Sequence, residues 1–262
     1  MDLQLSGKVA LVLASSKGLG KASAMALAAE GANVVIGARD KEELEKTAAE
    51  IYTKTKSKII AIQVDVSKIN EVEKFVQQAA DEFGKIDILV NNAGGPPFGK
   101  FESFDDAAWQ SAFELTLLST IRFCRLAVPH MRKTGSGRII NITSLSVKTY
   151  LENSVLSTSI RMGVVGMAKM LSNELGVDNI TVNNIAPGMI LTNRMKETMF
   201  KNMPAGKSEK DVLNDRAKDI PLKRIGRPEE LGALVAFLAS PLAGYITGTT
   251  IQIDGGAVKS PW

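Results

Sequence analysis

Two short segments of this chain carry residue types suited to holding phosphate. The first, Ala14-Ser15-Ser16-Lys17-Gly18-Leu19-Gly20, stands between an apolar run at 9–13 and an amphipathic run at 21–30. Gly18 and Gly20 let the backbone approach a pyrophosphate, and a helix beginning there offers free N–H groups and the positive end of its dipole. Ser16 and Leu19 belong to the same turn. The second segment is Ile36-Gly37-Ala38-Arg39-Asp40. An NAD site usually presents an acidic side chain there to the ribose 2′-hydroxyl. Ala38 takes that place and Arg39 follows it. A guanidinium pairs bidentately with a 2′-phosphate that a carboxylate would repel. Lys17 adds a second cation beside the same group. Either cation alone reads as a solvated surface charge; together they favour NADP(H) over NAD(H). Asp65, followed by Val66 after the third apolar run, is placed to accept from an adenine amino group. Asn92, Ala93 and Gly94, after the fourth, make a turn of small and amide residues under the cofactor.

These turns must be held by strands. Apolar, β-branched runs occur at 9–13, 34–36, 59–64, 86–90, 138–142, 180–185 and 249–253. Because they are continuously apolar rather than alternating, each reads as a strand buried on both faces. Amphipathic stretches lie between them. Asp40 and Glu43 make a capping box for a helix through Lys54, Gly84 ends the helix of 71–83, and Pro228 suits a helix's first turn. Strand–helix repetition predicts a Rossmann-type, doubly wound α/β fold, with a parallel seven-stranded sheet and helices on both faces. Ligands of such sheets lie outside the carboxyl ends of the strands. No Pro/Gly/Ser-rich linker divides residues 1–262, which read as one dinucleotide-binding domain.

The chain has 262 residues, 45% of them hydrophobic and 23% charged, values that allow a sizeable core. Its net charge of +4 is scattered, which argues against nucleic acid as a partner. Cys124 is the one cysteine, so an internal disulfide and a multi-cysteine metal site are excluded. No export leader is visible, and a cytoplasmic location is expected. The uncharged stretch 231–253 contains Pro241 and three glycines. It reads as a buried helix and strand rather than a membrane span.

Further segments carry a family resemblance. They are Asn91-Asn92-Ala93-Gly94, Pro129-His130-Met131, Gly137-Arg138-Ile139-Ile140-Asn141, Asn183-Asn184-Ile185-Ala186-Pro187-Gly188, Gly226-Arg227-Pro228-Glu229-Glu230 and Ile251-Gln252-Ile253-Asp254-Gly255-Gly256. With the phosphate loop, they resemble the short-chain dehydrogenase/reductase family, and in particular 3-oxoacyl-acyl-carrier-protein reductases, over essentially the whole length. The resemblance implies that Pro187, Gly188, Ile190 and Thr192 line the nicotinamide. It also implies a homotetramer built on the helices of 109–131 and 157–175 and the C-terminal strand, and a substrate lid at 191–219 with Met195, Met199 and Met203. The family's first loop glycine is Ala14 here.

Members of that family reduce carbonyls with a serine, a tyrosine and a lysine, organised by an asparagine. Counting from the matched segments, Ser144 falls on the serine. Ser157 stands at the tyrosine position, Arg161 at the lysine position and Thr116 at the asparagine position. Ser157 and Arg161 keep the four-residue spacing that puts them on one helix face. A serine is far less acidic than a phenol, while Arg161 stays protonated and holds the ribose or an oxyanion. Ser144, Ser157 and Arg161 would then form an electrostatic pocket, with water or Tyr150 as proton source. Lys148 is a solvated loop cation, His130 a structural residue and Cys124 a small buried hydrophobe. Three readings stay open: an NADPH-dependent oxidoreductase acting on a carbonyl or alcohol, an acyl thioester among the candidates; a silent NADP(H)-binding sensor or scaffold; and a lyase or isomerase using the same pocket.

Overall fold

The computed structural model describes residues 1–201, 203 and 206–259. Positions 260–262 of the expected single domain, and 202, 204 and 205 of the expected lid, lie outside the described residues.

Seven strands form one sheet: β1 (Val9–Leu13), β2 (Asn33–Ala38), β3 (Ile59–Gln63), β4 (Ile88–Asn91), β5 (Gly137–Ile142), β6 (Ile180–Pro187) and β7 (Thr250–Ile253). Their order is β3-β2-β1-β4-β5-β6-β7, and every pairing is parallel. The winding reverses between β1 and β4, which opens the crevice where such sheets take their ligands. Helices α1 (Gly18–Ala29), α2 (Lys41–Thr55), α3 (Ile69–Phe83), α4 (Asp106–Phe113), α5 (Ser119–Thr134), α6 (Val155–Glu174), α7 (Asn193–Phe200), α8 (Glu209–Ala217) and α9 (Pro228–Ala239) connect them. One core unites Leu27 of α1 and Val235 of α9 with Val12 and Ile36. A second, on the opposite face, unites Phe75 of α3, Phe123 of α5 and Ala168 of α6 with Leu11 and Val35. This is the Rossmann-type arrangement that the alternation of runs predicts.

The expected burial on both faces holds for β1, β2, β4, β5 and β6. It fails for β3 and β7, which are only partly buried. Both are edge strands, with no neighbour on one flank. Half of the expected capping box on α2 forms: Asp40 accepts from the Glu43 N–H at 3.1 Å. The Glu43 carboxylate instead lies 3.5 Å from Lys17 Nζ. The stretch 231–253 divides into α9 and β7 as expected, and no helix among the described residues is long and apolar enough to cross a membrane. Between α4 and α5 the chain stays helical but widens into a π turn over Glu114–Leu118, a feature with no sequence signature.

Amide side chains stand in register across the second half of the sheet. Asn91 pairs with Asn141, Asn141 with Asn184, and Asn184 with Thr250. Asn91 Nδ2 donates to Asn141 Oδ1 at 2.9 Å, Asn141 Nδ2 to Asn184 Oδ1 at 2.9 Å, and Asn184 Nδ2 to Thr250 Oγ1 at 3.1 Å. All three asparagines are buried, so the bonds replace water that cannot reach them. Asn141→Leu removes two of the three rungs, leaving Asn184 Oδ1 without its donor and Asn91 Nδ2 without its amide acceptor. Denaturant unfolding is expected to find it less stable by roughly 3 kcal/mol; a loss under about 0.5 kcal/mol would mean that the ladder contributes little.

Candidate active site

The phosphate loop leaves β1 and enters α1 with its backbone bare. Gly18 has φ +58, and a Cβ on Gly20 would lie 2.4 Å from the Ala14 carbonyl oxygen. A side chain at Gly20 would therefore fill the turn. Ala14 itself adopts φ +46, the left-handed conformation that favours the family's glycine. Ser15 locks the loop to β2: its hydroxyl donates to the Val12 carbonyl at 2.7 Å and accepts from the Gly37 N–H at 3.0 Å. Thr47 Oγ1 of α2 donates to the Ser16 carbonyl at 2.7 Å. Asn92 Nδ2 ties the loop from the other side, donating to the carbonyls of Leu13 and Ala14, each at 3.2 Å. Leu19 is half-buried behind the loop. Lys17 is the N-cap of α1 and has no side-chain bond to the helix start, so the first-turn N–H groups face the crevice.

Arg39, at the end of β2, is exposed and forms no ion pair with the described residues. Lys17 differs, being paired with Glu43. Arg39 is therefore the cation better disposed for a 2′-phosphate. Asp65 stands close enough to Arg39 to feel its charge. Burial opposes ionisation of the Asp65 carboxyl, but the Ser67 hydroxyl and N–H, with Arg39 and Lys68, outweigh it and hold the carboxyl below its ordinary range. Val66 is buried beside it, and Ala93 and Gly94 follow Asn92 at the crevice. On the far side, Pro187 ends β6 and the Gly188 N–H donates to the Ile253 carbonyl at 3.0 Å. Ile190 is buried and bridges to Gly226. Thr192 caps α7 by accepting from the Met195 N–H, and its Cγ2 lies 3.4 Å from the point a Cβ on Gly18 would occupy. The start of α7 thus lies against the phosphate loop. A bare glycine turn at a helix start, an exposed arginine at the next strand and a threonine closing from above suit a phosphorylated dinucleotide.

Ser144, Ser157 and Arg161 come from β5's exit and the first turns of α6. Ser144 Oγ accepts from the Ser146 N–H at 3.2 Å, which leaves its hydroxyl hydrogen to donate elsewhere. Arg161 Nη1 donates to Ser157 Oγ at 2.7 Å, as the four-residue spacing requires. Arg161 is 7% exposed, and its Nε has no hydrogen-bond partner among the described residues. Burial, and then the charge of Arg194, push its guanidinium down to about 10, so it is still a cation near neutrality. Arg161 borders a small recess with Asn91, Asn92, Thr116 and Thr143. Thr116 lies in the π turn, buried, and its hydroxyl also lacks a partner among the described residues.

Tyr150 is not brought to this recess. It is 86% exposed and lines a separate depression with Gly99, Phe101 and Thr158. Lys148 is half-buried after the short turn that Ser144 opens. His130 borders another depression with Glu73 and Leu126, and burial followed by Lys133 lowers its pKa. Cys124 is buried, its sulfur accepts from Asn91 Nδ2, and burial pushes its thiol up to about 12. Arg194, in the first turn of α7, was not legible as a site residue: only the fold carries it to Gly95, whose carbonyl accepts from both of its Nη atoms at 3.4 Å. Among the described residues no group of three or more His, Cys, Asp or Glu side chains could hold a metal ion.

Residues 13–258 match the family model described as Enoyl-(Acyl carrier protein) reductase. The 3-oxoacyl-[acyl-carrier-protein] reductase FabG of Chlamydia muridarum is 36% identical over 256 residues, spanning 98% of this chain and 99% of that one. The short-chain reductase protein NovJ of Streptomyces niveus is 36% identical over 249 residues, 95% and 93% of the two chains. Among solved structures, the L-sorbose reductase of Gluconobacter frateurii, complexed with NADPH and L-sorbose, superposes with a TM-score of 0.94 at 34% identity, covering 99% of this chain and 100% of that one.

Proposed function

The chain belongs to the short-chain dehydrogenase/reductase family, and on that premise we propose that it reduces a small carbonyl compound through Ser144, Ser157 and Arg161. It is an NADP(H)-dependent oxidoreductase. The observation that carries the proposal is the Arg161–Ser157 pair, a buried cation polarising a hydroxyl beside the crevice. NADPH held in the crevice would supply the hydride that the carbonyl carbon accepts. Ser144 donates its free hydroxyl hydrogen to the carbonyl oxygen, and Arg161 offsets the negative charge that grows there. The resulting alkoxide takes its proton from water held by the Ser157 hydroxyl, since a serine is too weak an acid to give up its own; Tyr150, exposed in another depression, is outside this site. Thr116 and Arg161 occupy the family's asparagine and lysine positions in this reading, and Ser157 its tyrosine position. Arg39, with Lys17 in a lesser part, holds the 2′-phosphate. Ser16, Gly18, Leu19 and Gly20 hold the pyrophosphate, and Asp65 and Val66 flank the adenine. Asn92, Ala93, Gly94, Pro187, Gly188, Ile190 and Thr192 line the nicotinamide half.

The proposal extends to the surroundings of the site. The segment 191–219, which carries α7 and α8, covers the substrate. The chain works as a homotetramer in the cytoplasm; Met162 and Met170, exposed on α6, support an interface on that helix. NADPH consumption against acetoacetyl thioester and a panel of ketones and aldehydes tests the activity. Turnover is expected, and Ser144→Ala should lower it by about 10²-fold or more while NADPH fluorescence still reports binding. Tight NADPH binding with no turnover on any carbonyl would replace the reductase with a nucleotide-binding sensor.

A further inference from the structure

The turn after β3 is fastened from a helix distant in sequence. Arg122, near the start of α5, is half-buried, and its Nη1 donates to the Ser67 carbonyl at 2.6 Å across 55 positions of the chain. Among the described residues this is the side chain's one hydrogen bond, and no carboxylate lies within ion-pairing distance of it. The next residue, Phe123, is buried and packs edge-on against Phe75 of α3, with ring centroids 5.8 Å apart. The helix that carries Arg122 is thus pinned to the helix that the turn leads into. Ser67 in turn grips Asp65. Its N–H donates to Asp65 Oδ1 at 3.0 Å, and its hydroxyl donates to the same oxygen at 2.7 Å. The Asp65 N–H donates to Glu71 Oε2 at 2.8 Å. Among the described residues Asp65 Oδ2 accepts nothing, so one carboxylate oxygen is anchored and the other is left for a donor.

We propose that Arg122 is a positioning residue for the nucleotide's base: by holding Ser67, it aims the free oxygen of Asp65 at the adenine amino group. The inference rests on the placement of adenine at Asp65 in the reading above and adds the residue that sets its aim. A carboxylate selects an amino donor only when its direction is fixed, because a hydrogen bond weakens steeply as it bends. The two bonds to Oδ1 tie the carboxylate to Ser67, but Ser67 is itself only partly buried and stands in a turn. A charged donor on its carbonyl supplies the restraint that the turn lacks. The cations that act on Asp65 directly are Arg39 and Lys68. Arg122 acts through the backbone of Ser67, so its contribution is to direction rather than to charge. The bond it makes needs one N–H, which a lysine of similar reach also offers and an apolar side chain does not.

The test compares NADPH with deamino-NADPH, in which hypoxanthine replaces adenine and a carbonyl replaces the amino group. The full chain is titrated with each by nucleotide fluorescence, and the quantity read is the ratio of the two dissociation constants. Wild type is expected to prefer NADPH by about tenfold. Arg122→Met should cut that preference to about threefold or less, chiefly by weakening NADPH. Arg122→Lys should keep most of it. Ser67→Ala, which removes the hydroxyl bond to Asp65 and leaves Arg122 in place, should lower it as Arg122→Met does. A defect that merely loosens the crevice weakens both nucleotides alike and does not move the ratio. A preference that survives Arg122→Met, or one that Arg122→Lys loses as fully as Arg122→Met, overturns the inference and leaves adenine at Asp65. No preference in the wild type removes adenine from Asp65, and the inference falls with that reading. These are binding measurements, so they hold whether or not a carbonyl is reduced.

Discussion

Arg39→Asp is expected to raise the dissociation constant for NADPH by about 100-fold, roughly 3 kcal/mol, and to improve binding of NADH. The wild-type guanidinium is exposed and forms no ion pair with the described residues, so its charge is available to the 2′-phosphate. A carboxylate there repels that phosphate and instead accepts from the ribose 2′-hydroxyl of NADH. The substitution also removes a cation that helps keep Asp65 ionised. Fluorescence titrations with the two nucleotides at one ionic strength measure the effect. An unchanged preference would move the 2′-phosphate to Lys17, despite its contact with Glu43.

Arg161→Met is expected to separate activity from stability. Turnover should fall by about 10²- to 10³-fold, because the charge offsetting the nascent alkoxide is lost. The protein without ligand should unfold at a higher temperature, since a well-packed apolar side chain replaces a buried charge that has no counter-ion among the described residues. Arg161→Lys should recover part of the activity. The sign of the pH effect follows from the guanidinium's depressed pKa of about 10. The unfolded chain holds this proton more firmly than the folded one, so the group lowers stability below that pH. Its penalty is relieved as pH rises above about 10, where the folded chain sheds the proton before the unfolded one does. The catalytic benefit runs the opposite way and disappears above about 10 as the charge is lost. Thermal melts and kcat–pH profiles of wild type and variant read both. A variant that keeps full turnover removes Arg161 from the chemistry.

Much of this was legible in the chain itself, for identifiable reasons. Runs such as Val9–Leu13 are apolar without alternation because two helical layers cover them, and that pattern survives in one dimension. The glycines of the phosphate loop are legible because a close backbone approach excludes other residues. What escaped depends on distant partners. Glu43 sits three residues from Asp40, where a reciprocal cap is expected, yet the cation at Lys17 draws its carboxylate away. The π turn at Glu114–Leu118 is a hydrogen-bond register, not a composition. The edge strands β3 and β7 look like inner strands because their composition does not record how many neighbours they have. Tyr150 lies close in sequence to Ser144, yet the turn between them carries it into another depression. Arg194 becomes a site residue only when α7 crosses to Gly95.

The amide ladder from Asn91 to Thr250 acts on the route to the native sheet as well as on its stability. Parallel strands gather from distant parts of the chain, and apolar runs such as those of β4, β5 and β6 attract one another almost equally well when displaced along their length. Each rung closes only where two amides, or an amide and a hydroxyl, arrive opposite each other. A slip of one residue turns every asparagine toward the wrong face and strands it without a mate. A mispaired half-sheet is thereby penalised at three places at once. The ladder is a combination lock on strand alignment: the oily tumblers turn freely, and the polar pins admit one setting.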